Sequence, residues 1–235
     1  MSKLQKNRRL IVASAIIVLV LPAVLFLGVW FGDRNYGVTS TLIVILSMLP
    51  FFMVFEHRRP QAREIIPIAV MAAVAAAGRM AFAFAPQFKP ILAVIIITAA
   101  AFGAESGFLC GAVAMLVSNF FFGQGPWTPW QMFCCGMIGF VAGWLRQLGL
   151  LKGKVSLCAY GFVSGYVYGA IVDVWTVLST AEGITWQSVL AIYASGFWFN
   201  TILAVSTVIF LAVLAGPILK KLERIKVKYG LIELE

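Results

Sequence analysis

The chain has 235 residues, of which 62% are hydrophobic and only 11% are charged. A soluble domain carries about 25% charged residues, so this composition excludes an ordinary soluble protein. The formal net charge of +9 does not indicate nucleic-acid binding, because the basic residues cluster at the termini and between apolar runs. The composition predicts an all-α fold, a polytopic helical membrane protein.

Eight apolar runs are predicted to be membrane helices, because long uncharged apolar stretches are typical of membrane spans. In chain order they are Ile11–Phe31, Val38–Phe55, Glu64–Ala85, Pro90–Phe102, Gly107–Phe122, Pro129–Leu145, Val155–Leu178 and Gln187–Leu219. The first run continues past Pro22 without a convincing small-residue cleavage site, so we expect a retained helix rather than a signal peptide.

The run Pro90–Phe102 is short for a membrane span. It would be about 20 Å long as a helix, whereas the hydrocarbon core is about 30 Å thick. Three arrangements are open: the helix tilts, it is buried among its neighbours, or it forms a re-entrant hairpin with Gly107–Phe122. The depth of Glu105 in the membrane depends on that choice.

The basic residues predict the topology. With the N-terminus in the cytoplasm, Lys and Arg fall on the cytoplasmic side everywhere except Arg34 and Lys89, which lie outside, and Arg79, which lies within a span. This bias is the positive-inside pattern of membrane proteins. The sequence therefore predicts a multi-pass protein of the cell membrane with both termini in the cytoplasm.

The distribution of charges and small residues predicts three parts. Residues 1–63 form a two-helix hairpin followed by the basic loop EHRRPQARE, residues 64–219 form a six-helix core, and residues 220–235 form a basic cytoplasmic tail. The first two spans have no ladder of small residues and no deeply placed charge, which separates them from the core.

Small residues recur four apart along several spans, a spacing that lets helices approach closely in lipid. The ladders are Ala69, Ala73, Ala77 and Ala81; Gly103, Gly107 and Gly111; Gly139 and Gly143; and Gly161, Gly165 and Gly169. The glycines predict packing inside a compact bundle. The alanine ladder begins one turn after the basic loop and indicates either the same packing or a docking stripe for a partner subunit.

Polar side chains gather in the outer half or near the middle of the predicted bundle. They are Arg79, Lys89, Asn119, Asp173 and Asn200. Charges within a membrane usually face a cavity or a partner, so an ion pair of Arg79 with Asp173 and interhelical hydrogen bonds of the asparagines are the structural alternatives. The clustering favours a cavity that opens to the outside.

The stretch GQGPWTPW, Gly123 to Trp130, interrupts this apolar sequence. Thr128, Pro129 and Gln131 fit a helix start, with Thr128 as the N-cap and Pro129 at the first helical position. Tryptophans at such a position are either interfacial anchors or stacking surfaces for a planar ligand. We therefore add five residues to the candidate site. Trp127, Trp130 and Trp198 are candidate stacking surfaces, and Gln124 and Gln131 join the polar residues named in the preceding paragraph as candidate contacts.

The sequence gives no sign of an enzyme, a cofactor or a metal site. Gly153-Lys154 is followed by valine and lacks the spacing of a Walker motif. His57 is the only histidine and lies in the cytoplasmic loop, so no intramembrane Ser–His pair can form. The four cysteines lie in spans without metal-ligand spacing.

The block KPILAVIIITAAAFGAESGFLCGAVAMLVSNFFFGQGPWTPWQMF, preceded by an Ala-x-x-x-Ala helix, resembles the substrate-specific S components of energy-coupling factor (ECF) vitamin importers. The likeness covers residues 64–219. It implies a six-helix protein that binds a vitamin or its precursor near the outer face. It also implies partners: a transmembrane coupling subunit, which the alanine helix contacts at Ala69, Ala73 and Ala77, and two cytoplasmic ATPase subunits. The N-terminal hairpin departs from the six-helix pattern.

The tryptophan-rich loop looks most like S components associated with cobalamin or its nucleoside precursors, while a flavin or a deazapurine remains open. Two rival functions are also open. One is an ion-coupled secondary transporter that uses Arg79, Glu105 and Asp173, although the sequence lacks the internal repeat usual for such proteins. The other is a membrane assembly subunit that transports nothing.

Overall fold

A computed structural model of the chain describes residues 62–179 and 185–229 and, in the N-terminal part, residues 12, 15–30, 38–39, 41–43 and 45–46. Most of the predicted second span, Val38–Phe55, lies outside the described residues, as do residues 56–61 of the basic loop, which include His57, and residues 230–235.

The described chain is all-α, as predicted. Helix α1 is Leu21–Trp30 and follows a π-helical turn, Ile16–Val20. The six helices of the core are α2 (Ala62–Ala81), α3 (Ile91–Phe102), α4 (Ala104–Phe122), α5 (Trp127–Gln147), α6 (Lys154–Leu178) and α7 (Trp186–Tyr229). Among the described residues, three segments are long and apolar enough to cross a membrane: Ala104–Phe122, Lys154–Leu178 and Trp186–Lys228.

Some helix boundaries differ from the predictions for local reasons. Helix α2 ends at Ala81 rather than Ala85, because residues 82–87 form turns. Helix α4 begins at Ala104 because Gly103, at φ 95°, permits a sharp break directly after α3. Helix α7 continues to Tyr229, so the first ten residues of the predicted tail are helical.

The short helix α3 is the centre of the core. All twelve of its residues are buried, and it packs against α2, α4, α5, α6 and α7. Each of these five helices contacts the next in the order α2, α4, α5, α6, α7. Phe82, which directly follows α2, and Phe210 of α7 also meet, with their ring centroids 5.2 Å apart. Of the arrangements left open by the sequence, burial among neighbours is the one observed.

Glycines bring α4 and α5 into backbone contact. A Cβ added to Gly107 would lie 2.6 Å from the Gly139 carbonyl oxygen, and one added to Gly111 would lie 2.4 Å from the Cys135 carbonyl oxygen. A Cβ on Gly165 of α6 would similarly meet the Ala204 backbone of α7 at 2.5 Å. The predicted packing role of these glycine ladders is confirmed.

Helix α2 has a buried face and an exposed face. The buried residues are Ile68, Met71, Ala72, Ala75 and Ala76. The exposed ones include Ile66, Ala69, Val70, Ala73, Val74, Ala77 and Ala81. The alanine ladder therefore does not pack inside the described bundle. We name the two ends of the bundle by residues near them, the Arg79 end and the Lys226 end.

Candidate substrate-binding site

A hydrogen-bonded network joins three helices at the Arg79 end. Arg79 lies in the last turn of α2, and its Nη1 donates to Ser118 Oγ and to Asn119 Oδ1, both at 2.6 Å. The guanidinium carbon also lies 4.4 Å from the centroid of the Phe122 ring. Among the described residues, the partners of this cation are neutral oxygens and an aromatic face.

Asn119 is the hub of the network. Its side chain is 1% exposed, and its Nδ2 donates to Thr128 Oγ1 at 3.1 Å and to Gln131 Oε1 at 2.8 Å. Both polar atoms of this amide are thus paired, which buried amides require. Asn119 fixes Arg79 of α2 to the first turns of α5.

The connection from Gly123 to Pro126 is closed by its own hydrogen bonds. Gly125 N donates to Thr128 Oγ1 at 3.2 Å, and Thr128 N donates to the Gly125 carbonyl oxygen at 2.9 Å. Gln124 Nε2 donates back to the Leu116 carbonyl of α4 at 3.1 Å. The helix begins at Trp127 rather than Pro129, so Thr128 closes this turn from inside α5 instead of acting as its N-cap.

Two indoles flank this connection. The rings of Trp127 and Trp175 meet edge to face at 5.9 Å and 68°, and Trp127 is 37% exposed. The Trp127 ring also covers Gly125, where an added Cβ would lie 2.4 Å from it. Sequence reasoning missed Trp175, and the signal for it was its place two residues after Asp173, in the last turn of α6.

Lys89 is the second cation at this end. Its Nζ lies 4.2 Å from the same Phe122 ring that Arg79 contacts, and its backbone N donates to Ser206 Oγ of α7 at 3.4 Å. Burial lowers the pKa of Lys89, and the positive charge of Arg79 lowers it further. Sequence reasoning also missed Ser118 and Phe122, which flank Asn119 on α4.

The predicted tryptophans do not all meet at this network. Trp130 is only 4% exposed and packs edge to face on Phe26 of α1 at 5.4 Å. Trp198, on α7, is 67% exposed. Trp127 and Trp130 both adjoin the Asn119 network, next to Thr128 and Gln131 respectively, but of these two only Trp127 is partly exposed.

Asp173 and Asn200 lie together between α6 and α7. The Asn200 side chain fills the space in front of Gly169, and Asp173 Oδ2 lies 2.9 Å from where a Cβ on Gly196 would be. Asp173 Oδ2 is buried without a hydrogen-bond partner among the described residues. The ion pair of Arg79 with Asp173 that the sequence left open is not formed there.

The Arg79 end offers hydrogen-bond donors, two cations and aromatic surfaces, which suit binding rather than bond cleavage. The described residues include no group of three His, Cys, Asp or Glu side chains that could hold a metal ion. The fold defines a polytopic helical membrane protein, and the Arg79 end is its candidate binding site.

The chain belongs to the family described as ECF-type riboflavin transporter, S component, whose model matches residues 60–224. This is a family of transporter components and not of enzymes. The resemblance to ECF S components is thus confirmed, while the association with cobalamin stays a prediction.

Curated relatives carry the name UPF0397 protein. One from Vibrio atlanticus is 32% identical over 159 residues, which cover 60% of this chain and 84% of the relative. One from Aliivibrio salmonicida is 30% identical and covers the same 60% of this chain and 84% of the relative. One from Aliivibrio fischeri is 29% identical over 48% of this chain and 70% of the relative. No solved structure matches the chain significantly.

Proposed function

We propose that this chain captures a planar aromatic micronutrient from outside the cell at its Arg79 end, and passes it inward with a coupling subunit and two ATPases. The observation that carries the proposal is the network of Arg79, Asn119 and Gln131 beside the indoles of Trp127 and Trp175. Ligand sites combine apolar and aromatic surfaces with a few fixed polar groups, and this end has both.

The polar residues of the network have different roles in this proposal. Asn119 is buried and fully paired, so it positions Arg79 and Gln131 rather than contacting the nutrient itself. Gln131 uses Oε1 to accept from Asn119, which leaves its Nε2 to donate to the nutrient. Trp127, with Trp175 at its edge, supplies the stacking surface.

A flat heteroaromatic ring system is the nutrient class that this arrangement supports. Aromatic stacking and a few directed hydrogen bonds together give affinity and orientation. The family description names riboflavin, which contains such a ring system. This favours the flavin alternative over the corrinoid suggested by the loop sequence.

The positive-inside pattern supports an outward orientation of the Arg79 end. At the other end, α7 carries Lys220, Lys221, Arg224, Lys226 and Lys228. With these bases in the cytoplasm, the network faces the outside, where a nutrient arrives.

The exposed alanine face of α2 supports docking to the coupling subunit. Ala69, Ala73 and Ala77 lie on one exposed stripe of that helix, and small side chains let a partner helix approach closely in lipid. The neighbouring exposed side chains Val70 and Val74 extend the apolar contact.

The charges do not support the ion-coupled alternative. Arg79 pairs with neutral oxygens, Asp173 lies in the separate α6–α7 seam, and Glu105 is 8% exposed in the first turn of α4, at the opposite end from Arg79. An ion-coupled transporter needs charges that share one pathway.

The test is mass spectrometry of small molecules released by denaturing the purified chain. We expect one planar aromatic metabolite that is absent from a control membrane protein purified from the same cells, and a saturable quenching of fluorescence when riboflavin is added to the emptied chain. Absence of both a released metabolite and riboflavin quenching would contradict the proposed function.

A further inference from the structure

Two cations at the Arg79 end share one aromatic ring. Arg79 Cζ and Lys89 Nζ lie 4.4 and 4.2 Å from the centroid of Phe122, so the two charges are at most about 9 Å apart. Like charges at this separation repel, and the repulsion grows where water is excluded. Among the described residues, no carboxylate pairs with either cation.

Both cations also keep unused hydrogen-bond donors. A guanidinium has five N–H groups, and the contacts of Arg79 with Ser118 and Asn119 both come from Nη1. Within the described part of the chain, no hydrogen-bond acceptor contacts Arg79 Nε or Nη2, and Lys89 Nζ contacts the Phe122 ring.

The guanidinium is held in a fixed position. Ser118 and Asn119 fix Nη1 of Arg79, and Asn119 is itself held by Thr128 and Gln131. The opposite edge of the guanidinium, with Nε and Nη2, stays open. A planar guanidinium fork pairs with a carboxylate or phosphate through two parallel hydrogen bonds. A preorganised fork of this kind loses little entropy when it binds.

We propose that Arg79 and Lys89 together bind an anionic group of the transported nutrient, a carboxylate or a phosphate, while the ring of that nutrient lies at the indoles. Riboflavin is neutral and lacks such a group, so it would occupy only the ring part of this site. This inference rests on the proposed function and adds the charge of the substrate to it. Arg79 supplies the bidentate contact, Lys89 supplies a second positive charge, and the bound anion relieves the repulsion between them.

The test uses inorganic phosphate as the probe and the unfolding temperature of the purified, nutrient-free chain as the readout. Ionic strength is matched with sodium chloride. We expect phosphate well above its dissociation constant to raise the unfolding temperature of the wild type by about 3 °C or more. Lys89→Gln and Arg79→Gln should lose most of this shift.

Lys152→Gln is the matched control, because Lys152 is an exposed lysine between α5 and α6 at the other end of the bundle. It should respond to phosphate like the wild type. If Arg79→Gln does not fold, Lys89→Gln decides, because it leaves the hydrogen bonds of Arg79 intact.

No phosphate shift in the wild type, or an equal shift in the wild type, Lys89→Gln and Lys152→Gln, would overturn the inference. Because the probe is not the nutrient, this failure is distinct from a failure of the proposed function. If the chain released a neutral aromatic metabolite and showed no phosphate shift, the proposed function would stand and the anionic substrate would be excluded.

Discussion

At the scale of single residues, Asn119 does the most to organise the site. Its amide accepts from Arg79 and donates to Thr128 and Gln131. The sequence predicted that Asn119 and Arg79 lie close together, because the predicted topology places both toward the outer ends of their spans. It could not predict that the amide would be fully paired, because that depends on the rotation of three helices about their axes.

Replacing Asn119 by alanine should both weaken nutrient binding and destabilise the protein. The change leaves Thr128, Gln131 and one N–H of Arg79 without this partner, and unpaired buried polar groups cost about 1–3 kcal/mol. Thermal unfolding and a binding titration of the purified variant measure the two effects. Ser195→Ala, at an exposed serine of α7, is the control. Wild-type stability and affinity of Asn119→Ala would contradict the central role of Asn119.

Trp127 and Trp130 should respond differently to alanine. Trp127 is partly exposed beside Trp175, so Trp127→Ala should weaken nutrient binding by about two- to tenfold, the range of one aromatic contact, with little loss of stability. Trp130 is packed on Phe26, so Trp130→Ala should lower the free energy of unfolding by about 3–5 kcal/mol. Affinity and unfolding temperature, measured on both variants, separate the roles. Unchanged affinity in Trp127→Ala would make that ring an interfacial anchor.

At the scale of helices, the periodicity of the sequence predicted where the helices lie better than it predicted which of their faces make contact. Spacing alone identified the alanine ladder of α2 and the glycine ladders of α4 and α5. It predicted bundle packing for the glycines but left the alanine ladder open between packing and docking. The difference comes from the packing of α3 and α4 on α2, whose buried side includes Ala72 and Ala76, whereas Ala69, Ala73 and Ala77 are exposed.

Replacing Ala73 by leucine should impair transport and leave nutrient binding intact. The larger side chain would keep the coupling subunit from approaching the exposed face of α2, whereas the Arg79 network is untouched. Ala159→Leu, at an exposed alanine of α6, is the matched control. Uptake measured in cells that contain the coupling subunit and the ATPases should fall at least severalfold for Ala73→Leu only. Wild-type uptake with Ala73→Leu would exclude docking through this stripe.

Replacing Gly111 by alanine should destabilise the core. The added methyl group would lie 2.4 Å from the Cys135 carbonyl oxygen, so α4 and α5 would have to separate, and such overpacking costs about 1–3 kcal/mol. Gly216→Ala is the control, because no atom lies within 4 Å of the added group there. Equal unfolding temperatures for the two variants would contradict the observed contact of α4 with α5.

At the scale of the whole molecule, the apolar composition and the positive-inside pattern were enough for the fold class. They were not enough to separate the polar residues into the network at Arg79 and the Asp173–Asn200 pair between α6 and α7. That division depends on which way each helix faces, and Asp173 lies on the same face of α6 as the glycine ladder, against Gly196 of α7.

The purified chain should bind its nutrient but should not transport it alone. In vesicles that contain only this chain, an imposed proton or sodium gradient should produce no uptake of the released metabolite. Addition of the coupling subunit, the two ATPases and ATP should start uptake. Gradient-driven uptake by the chain alone would favour the secondary transporter.

The most direct test of the account is an experimental structure of the chain purified with its nutrient still bound. We predict density for one planar ligand at the Arg79 end, in contact with Trp127, with Gln131 and with the open edge of the Arg79 guanidinium. Ligand density between α6 and α7 at Asp173, or at the Lys226 end, would contradict it.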